Sequence, residues 1–302
     1  MSLLYFLKDL KKIKFNYKLG SKTWFGTGGN AQFFLIINSL KSLEYLLKII
    51  PGSVPVFLIG AGSNILVRDG GIKGVTIKLG EEFKKIIFDS KKKILKIGGG
   101  CKDLNIAKYC YDNSIGGFEF LRGIPGTLGG NIRMNAGCFG NLISDKLIKC
   151  KIMTRNGKVI EFRKEQISFE YRKSSIPSDS IIVDAEFNAK IIKKEVINDK
   201  MQKITKSRIL AQPINHRTGG STFKNPDKDS AWKLIDKINF RGKKIGGANV
   251  SKKHTNFLIN GGDASSLDLE MLGEEIKSNV KKKFNINLDW ELIRIGDFKK
   301  IS

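Results

Sequence analysis

An α+β fold is what this sequence predicts, on three observations. Short apolar runs of strand length recur along the chain, stretches with apolar residues at helical spacing separate some of them, and glycines stand at the joints. The 302-residue chain has 32 glycines and only 6 prolines, and its glycines concentrate at 26–29, 60–62, 70–74, 98–100, 116–130, 219–220, 246–247 and 261–262. That length implies two or three domains. A hydrophobic content of 41% is enough for a sizeable core.

The elements follow in order. Residues 3–15 alternate apolar and basic positions at helical spacing and predict a short amphipathic helix. Phe33-Phe34-Leu35-Ile36-Ile37 predicts a buried strand, and a helix over about 40–50 is stopped by Pro51-Gly52. Strands near 55–59, 65–68 and 74–79 complete a first α+β unit, separated by Gly60-Ala61-Gly62-Ser63-Asn64 and Asp69-Gly70-Gly71. Phe83–Asp89 and Lys93–Ile97 predict a hairpin, and Lys102–Asn113 a helix. Asn156-Gly157 is a strong hairpin turn between Lys146–Thr154 and Lys158–Arg163. Ile181–Phe187 is a strand, and mixed charge with Ile191, Val196, Ile204 and Ile209 predicts a long helix over 192–210. Further on come a helix at Asp229–Asn239, a strand at Asn256–Asn260, a capped amphipathic helix over 265–284 and a last strand at Leu288–Ile295. No repeat or low-complexity tract is visible.

Composition excludes several classes. The formal charge of +25 invites a nucleic-acid reading. Its lysines are dispersed in twos and threes, however, and there is no aromatic RNA-binding run, finger or basic arm. The charge supports a preference for anionic ligands and no nucleic-acid partner. Cys101, Cys110, Cys138 and Cys150 form no CxxC and the 2 histidines lie far apart, so no metal site is expected. Scattered cysteines fit a reducing compartment. The apolar run at the N-terminus is too short for a signal peptide and no segment has the length of a membrane span, so a cytoplasmic protein without membrane contact is expected.

Three glycine loops carry the chemistry. Gly60-Ala61-Gly62-Ser63-Asn64 begins like a dinucleotide fingerprint, and Gly26-Thr27-Gly28-Gly29-Asn30-Ala31 satisfies GxGxxA. Each opens a strand where that fingerprint needs a helix, so a Rossmann domain is rejected. A strand–loop–strand nest still binds a pyrophosphate through successive N–H groups, and a plain turn is the competing reading. The second loop, Gly123 to Gly137, has five glycines in fifteen residues and almost no charge. Such a backbone suits either a flat aromatic ligand with its phosphates or a tight crossing between domains. The third is Thr218-Gly219-Gly220-Ser221-Thr222-Phe223-Lys224-Asn225-Pro226, which presents one serine. GxSxG is absent and His216 is the nearest histidine, five residues upstream, so no hydrolase triad is supported. A serine without a base suits proton donation better than attack.

With these blocks in view, the chain resembles the UDP-N-acetylenolpyruvoylglucosamine reductase family throughout its length. The resemblance rests on Thr23-Trp24-Phe25 with Gly28-Gly29, on Gly60 to Val67, and on Gly123-Ile124-Pro125-Gly126-Thr127 through Asn135-Ala136-Gly137. Tyr171-Arg172-Lys173-Ser174, Gly220 to Pro226, and Trp290-Glu291 before Arg294-Ile295-Gly296 complete it. Gly246-Gly247-Ala248 with Ser251 to His254 and Asn256-Phe257 is similar to the subgroup lacking a tyrosine-bearing insertion.

The resemblance implies an FAD-binding module of the vanillyl-alcohol-oxidase type in two subdomains plus a C-terminal α+β substrate domain. On that reading residues 1–80, with 288–302 returning to them, form the first subdomain, 81–195 the second and 196–287 the substrate domain. It implies non-covalent FAD held by Gly60, Gly62, Ser63, Asn64, Pro125, Gly126, Gly130, Asn135 and Gly137. NADPH is the implied co-substrate and a UDP-sugar the substrate, contacted by Asn225, Lys224 and His254 in a monomeric enzyme. For His254 a hydrogen-bonded interior histidine is the competing reading. Arg172, Ser221 and Glu291 match the catalytic residues: Arg172 and Glu291 stabilise the enolate-like charge that follows hydride addition, and Ser221 protonates the carbanion. Support of the transient Ser221 alkoxide by Lys224 is our own addition. Another FAD-dependent oxidoreductase of the same module is the alternative, and a basic nucleotide- or nucleic-acid-binding protein without catalysis a further one. Three departures stand out: Gly26 where an arginine is common, Asn30 where a proline is common, and Cys138-Phe139 in place of a small-aromatic pair.

Overall fold

The computed structural model describes residues 12–227 and 229–299. The helix expected over 3–15 therefore falls mostly outside the described residues. The chain divides into two compact units. One holds Phe33–Ala61 and Gly74–Ser207 together with the described residues up to Lys14; the other holds Phe15–Gln32, Gly62–Lys73 and the chain from Arg208 onward.

The first unit is built on a five-stranded antiparallel sheet. Its strand order is Val159–Arg163, Leu147–Met153, Ile181–Asn188, Ile94–Gly98, Ile86–Asp89. The Asn156-Gly157 turn joins the first two, with Gly157 at φ 79°. Alternating side chains give the sheet two buried faces. Leu95, Ile97, Cys150, Ile152, Ala185 and Phe187 pack with Ile106, Ala107 and Cys110 of helix Asp103–Asp112 and with Leu128 and Ile132. Met153, Ile181 and Val183 pack instead with Leu43, Leu46 and Leu47 of helix Leu40–Ile49 and with Leu35, Ile37, Ile77 and Leu79. A bulge makes this possible. Lys151 pairs with Asp184 while Ile152 pairs with Ile182, leaving one extra residue in the central strand. The extra residue reverses the alternation, so Ile182 and Ala185 share a face although three positions apart. Arg155 closes this arrangement by donating to the carbonyls of Leu47, Pro51 and Val54 at 3.3, 3.0 and 3.1 Å.

The second unit is organised by helix Ser266–Phe284, whose Leu269, Leu272, Ile276 and Val280 pack with Phe25, Leu66, Phe223, Leu234, Val250, Leu258 and Leu292. Beside it stand a sheet of Lys244–Ile245, Ala248–Val250 and Leu258–Asn260 and a parallel pair of Ile65–Val67 with Ile293–Ile295. Gly273 matters for packing: a Cβ there would fall 2.1 Å from the Trp290 ring.

Most expected elements are present within a residue or two. The glycine-rich centre contains a short helix, Leu128–Arg133, where only a loop was expected. The last strand is Ile293–Ile295, shorter than Leu288–Ile295, because Asp289 and Trp290 bridge the serine loop instead. The hairpin strand expected from Phe83 starts at Ile86, after a 3-10 turn at Glu81–Lys84.

Candidate active site

The sequence-predicted site residues fall in both units, each of which forms its own constellation. The unit boundary lies within the first glycine loop, between Ala61 and Gly62.

In the first unit, the Gly123 to Gly137 segment is fixed from below by the turn before helix Asp103–Asp112. Leu128 and Gly129 donate to Cys101 and Gly99 carbonyls at 3.0 and 2.8 Å. Gly60 faces this segment, since a Cβ on it would lie 2.5 Å from Thr127 Oγ1. Gly126 is hemmed by polar atoms: its Cβ would meet Asp103 Oδ2 at 2.7 Å and Asn131 Oδ1 at 2.9 Å. Gly130 is exposed, with only Thr127 Oγ1 within 4 Å of the Cβ position, and Pro125 is half-buried. Asn135, at φ 41°, donates from Nδ2 to the Glu170 carbonyl at 3.1 Å, while its buried Oδ1 has no partner. That bond ties the glycine segment to the hairpin Phe169–Glu170/Lys173–Ser174, whose turn carries Arg172. Arg172 is half-buried at φ 58°, a left-handed conformation uncommon for a non-glycine residue, with its guanidinium 5.0 Å from the Tyr171 ring centre. Gly137 does a different job. It pairs with Leu142, and a Cβ would strike the Asn141 carbonyl oxygen at 2.3 Å, so local packing accounts for it.

In the second unit the serine loop is stitched on both sides. Ser221 bridges Phe257, and Phe223 bridges Trp290. Thr222 donates to the Asn256 carbonyl at 2.8 Å and its own carbonyl accepts from Glu291 N–H at 2.9 Å. The Asn256 side chain makes a reciprocal pair with the Phe223 backbone at 3.0 and 2.8 Å. Ser221 and Glu291 are thereby held on neighbouring segments. Gly220 adopts φ 86° with open space at its Cβ position, and the Ser221 hydroxyl has no partner among the described residues.

The remaining predicted residues of this unit divide. The Lys224 backbone N–H donates to Asp289 at 2.8 Å and its side chain is half-buried. Asn225 Oδ1 accepts from Ala231 N–H at 3.0 Å and so helps start helix Ala231–Lys237. Asn64 donates to the Glu291 carbonyl at 3.1 Å, fixing the segment that bears the glutamate. Ser63 is buried, and Gly62 at φ 69° accepts from Trp24 N–H at 2.9 Å. His254 packs edge-on against Phe257 at 4.8 Å, and its buried Nδ1 has no partner. Burial, with the Arg241 charge adding to it, holds this imidazole below the ordinary histidine value.

Two departures have structural counterparts. Arg217 lies over Gly26, so a Cβ at that glycine would meet Arg217 Cδ at 3.1 Å. Asn30 donates to Asn16 Oδ1 at 2.8 Å, a bond proline lacks. Sequence reasoning missed Asp103 and Asn131. Asp103 reads as a favourable charge in the first turn of a helix, yet it is 1% exposed.

Comparison with known proteins gives the family. A family model described as the C-terminal domain of UDP-N-acetylenolpyruvoylglucosamine reductase matches residues 212–295. A model described as an FAD binding domain matches residues 31–163. The protein named UDP-N-acetylenolpyruvoylglucosamine reductase in Rickettsia canadensis (strain McKiel) is 43% identical over 94% of this chain and 96% of its own length. The chain belongs to the UDP-N-acetylenolpyruvoylglucosamine reductase family. The relative of that name in Rickettsia prowazekii (strain Madrid E) is 42% identical over 99% of this chain and all of its own. The crystal structure of the Thermus caldophilus reductase superposes with a TM-score of 0.80 at 28% identity, covering 94% of this chain and 98% of that one. These matches bear out the α+β class, an FAD-binding module followed by the C-terminal domain of this reductase family. The residues present fit a flavin dinucleotide: Gly130 leaves open backbone where a side chain would stand, and Asn135 Oδ1 is a buried acceptor with no partner among the described residues. No helix of the described residues is long and apolar enough to cross a membrane.

Proposed function

We propose that this chain reduces UDP-N-acetylglucosamine enolpyruvate to UDP-N-acetylmuramate, using non-covalent FAD and NADPH, in the synthesis of peptidoglycan precursors in the cytoplasm. The observation that carries this reading is the seat of Ser221, beside a glycine at positive φ, on a loop braced by the segment that bears Glu291. Family membership supplies the substrate, and FAD, when bound, supplies the hydride.

The chain's own residues account for the rest. Hydride addition to the enolpyruvyl methylene leaves negative charge on the adjacent carbon and its carboxylate. The Arg172 fork matches that carboxylate with paired donors. Glu291 stabilises the same charge as a protonated acid or through water. Ser221 then donates its proton to the carbon, and Lys224 steadies the alkoxide until a solvent proton replaces it. Asn225 and His254 contact the UDP-sugar; a neutral His254 offers one donor and one acceptor. Gly60, Gly62, Ser63, Asn64, Pro125, Gly126, Gly130 and Asn135 line the flavin, and Gly137 holds the turn beside them. Residues 1–80 with 288–302, 81–195 and 196–287 are the corresponding functional divisions of a monomer.

Ser221→Ala tests the proposal. The variant should keep its flavin and its bleaching by NADPH, while re-oxidation by the enolpyruvyl UDP-sugar slows by about 10² to 10⁴-fold. Re-oxidation at the wild-type rate would remove Ser221 from the mechanism.

A further inference from the structure

Asp103 is the most deeply buried carboxyl among the described residues, and nothing in the mechanism above uses it. It starts helix Asp103–Asp112 and is 1% exposed. Oδ1 accepts from Asn131 Nδ2 at 2.6 Å, a short bond between side chains 28 positions apart. Oδ2 is buried without a partner. It faces Gly126, where a Cβ would lie only 2.7 Å away. The backbones are joined as well: Asp103 N–H donates to the Gly126 carbonyl at 3.3 Å, and Lys102 bridges Thr127. One side chain thus touches both ends of the Gly126 to Asn131 stretch.

A carboxylate is a costly choice for such a spot. A buried carboxyl with one oxygen unsatisfied is destabilising. We propose that Asp103 is a positioning residue for the flavin, fixing through Asn131 and Gly126 the bare glycine backbone that lies against the cofactor. This rests on the reading that the Gly123 to Gly137 segment holds FAD.

Asp103 acts as the uncharged acid. Burial pushes its carboxyl from the ordinary 3.8 up to about 8, against the lowering effect of the Asn131 bond. The charged and titratable groups around it leave that state undisturbed. The Cys101 thiol beside it is pushed by its own burial up to about 12 and carries no charge at neutral pH. Lys102 is exposed. On the facing helix Asn131 is neutral, and the Arg133 guanidinium is taken up by the carbonyls of Ile176, Pro177 and Ser180. Between pH 7 and 9 the acid becomes a carboxylate with two acceptor oxygens, and Oδ2 is then a buried bare charge against Gly126.

The test is FAD binding by deflavinated protein, followed through quenching of flavin fluorescence and the visible spectrum of the bound flavin, for the wild type, Asp103→Asn and Asp103→Ala. Asp103→Asn, which keeps an acceptor for Asn131 and a donor at the second position, should bind FAD within about threefold of the wild type. Asp103→Ala should bind at least tenfold more weakly and shift the flavin absorption. Wild-type affinity should fall as pH rises from 7 to 9, and that of Asp103→Asn should stay level. Should Asp103→Ala fold poorly, the pH comparison between wild type and Asp103→Asn decides alone. Equal affinity of Asp103→Ala and wild type, or parallel pH profiles, overturns the inference while leaving the flavin reading intact. A wild-type chain that takes up no FAD overturns both.

Discussion

At the scale of single residues, the chain uses opposite devices. Ser221 stands next to Gly220, which has open space at its Cβ position, whereas Asp103 and His254 are enclosed, which favours their uncharged forms. Enclosure has a thermodynamic signature. The folded-state value of Asp103 lies above its unfolded one, so folding takes up a proton between pH 4 and 8 and stability falls as pH rises through that window. Asp103→Asn removes the uptake. It should raise the unfolding free energy at pH 8 by an amount on the order of a few kcal/mol, with the gain vanishing towards pH 4. Parallel pH profiles of stability for the two proteins would show that the carboxyl is not held as an acid. Lys224 offers a second residue-level prediction. If its ammonium steadies the Ser221 alkoxide, Lys224→Met should slow solvent-proton incorporation into product, and an unchanged rate would discard that role.

At the scale of elements, the second unit is pinned to its long helix by charge. Glu270, almost fully buried, accepts two bonds from Arg68 at 3.0 and 2.8 Å and one from Arg294 at 2.9 Å. Arg294 also reaches Glu274, which accepts from Trp290 Nε1 at 2.8 Å. The strands bearing the two arginines are the parallel pair Ile65–Val67 and Ile293–Ile295 or follow directly on it. Removing the carboxylate leaves two half-buried guanidinium groups without their shared partner, so Glu270→Ala should cost about 3 kcal/mol or more in chemical denaturation. A loss below 1 kcal/mol would mean the network is solvated. Asp69 accepts from Ser266 and Leu267 N–H groups at 3.1 and 3.0 Å and caps the same helix, so Asp69→Ala should cost about 1 kcal/mol.

Elements were also where the sequence was most readable. Helix Ser266–Phe284 announced itself through the spacing of Leu267, Leu269, Leu272, Ile276 and Val280, and its expected cap is made by Ser265 and Asp268. The Asn156-Gly157 turn did the same for its hairpin. The bulge in Ile181–Asn188 was invisible, because both faces of that strand are apolar and a reversed alternation leaves no polar mark. Asp103 was invisible for the opposite reason: an acidic residue at a helix start is what an exposed helix also shows. Ser221 was legible as the one serine its glycine loop presents, whereas Arg172 and Glu291 were legible only as a family pattern, since nothing in their spacing says that a left-handed turn or a braced loop presents them.

At the scale of the whole molecule, the charge of +25 finds its natural counterparts in NADPH and a UDP-sugar, both anionic. A net positive field speeds their arrival without altering chemistry. Raising the salt concentration should therefore lower kcat/KM for both by several-fold while kcat holds, since the Debye length shrinks to about 3 Å at 1 M. Salt-independent kcat/KM would detach the charge from substrate capture. The central claim is that one chain carries reducing equivalents from NADPH to an enolpyruvyl ether. An anaerobic titration of the purified protein tests it most directly. The yellow protein should bleach on adding NADPH and regain its full flavin absorption on adding UDP-N-acetylglucosamine enolpyruvate. A flavin that bleaches and stays reduced in the presence of that substrate would contradict the account.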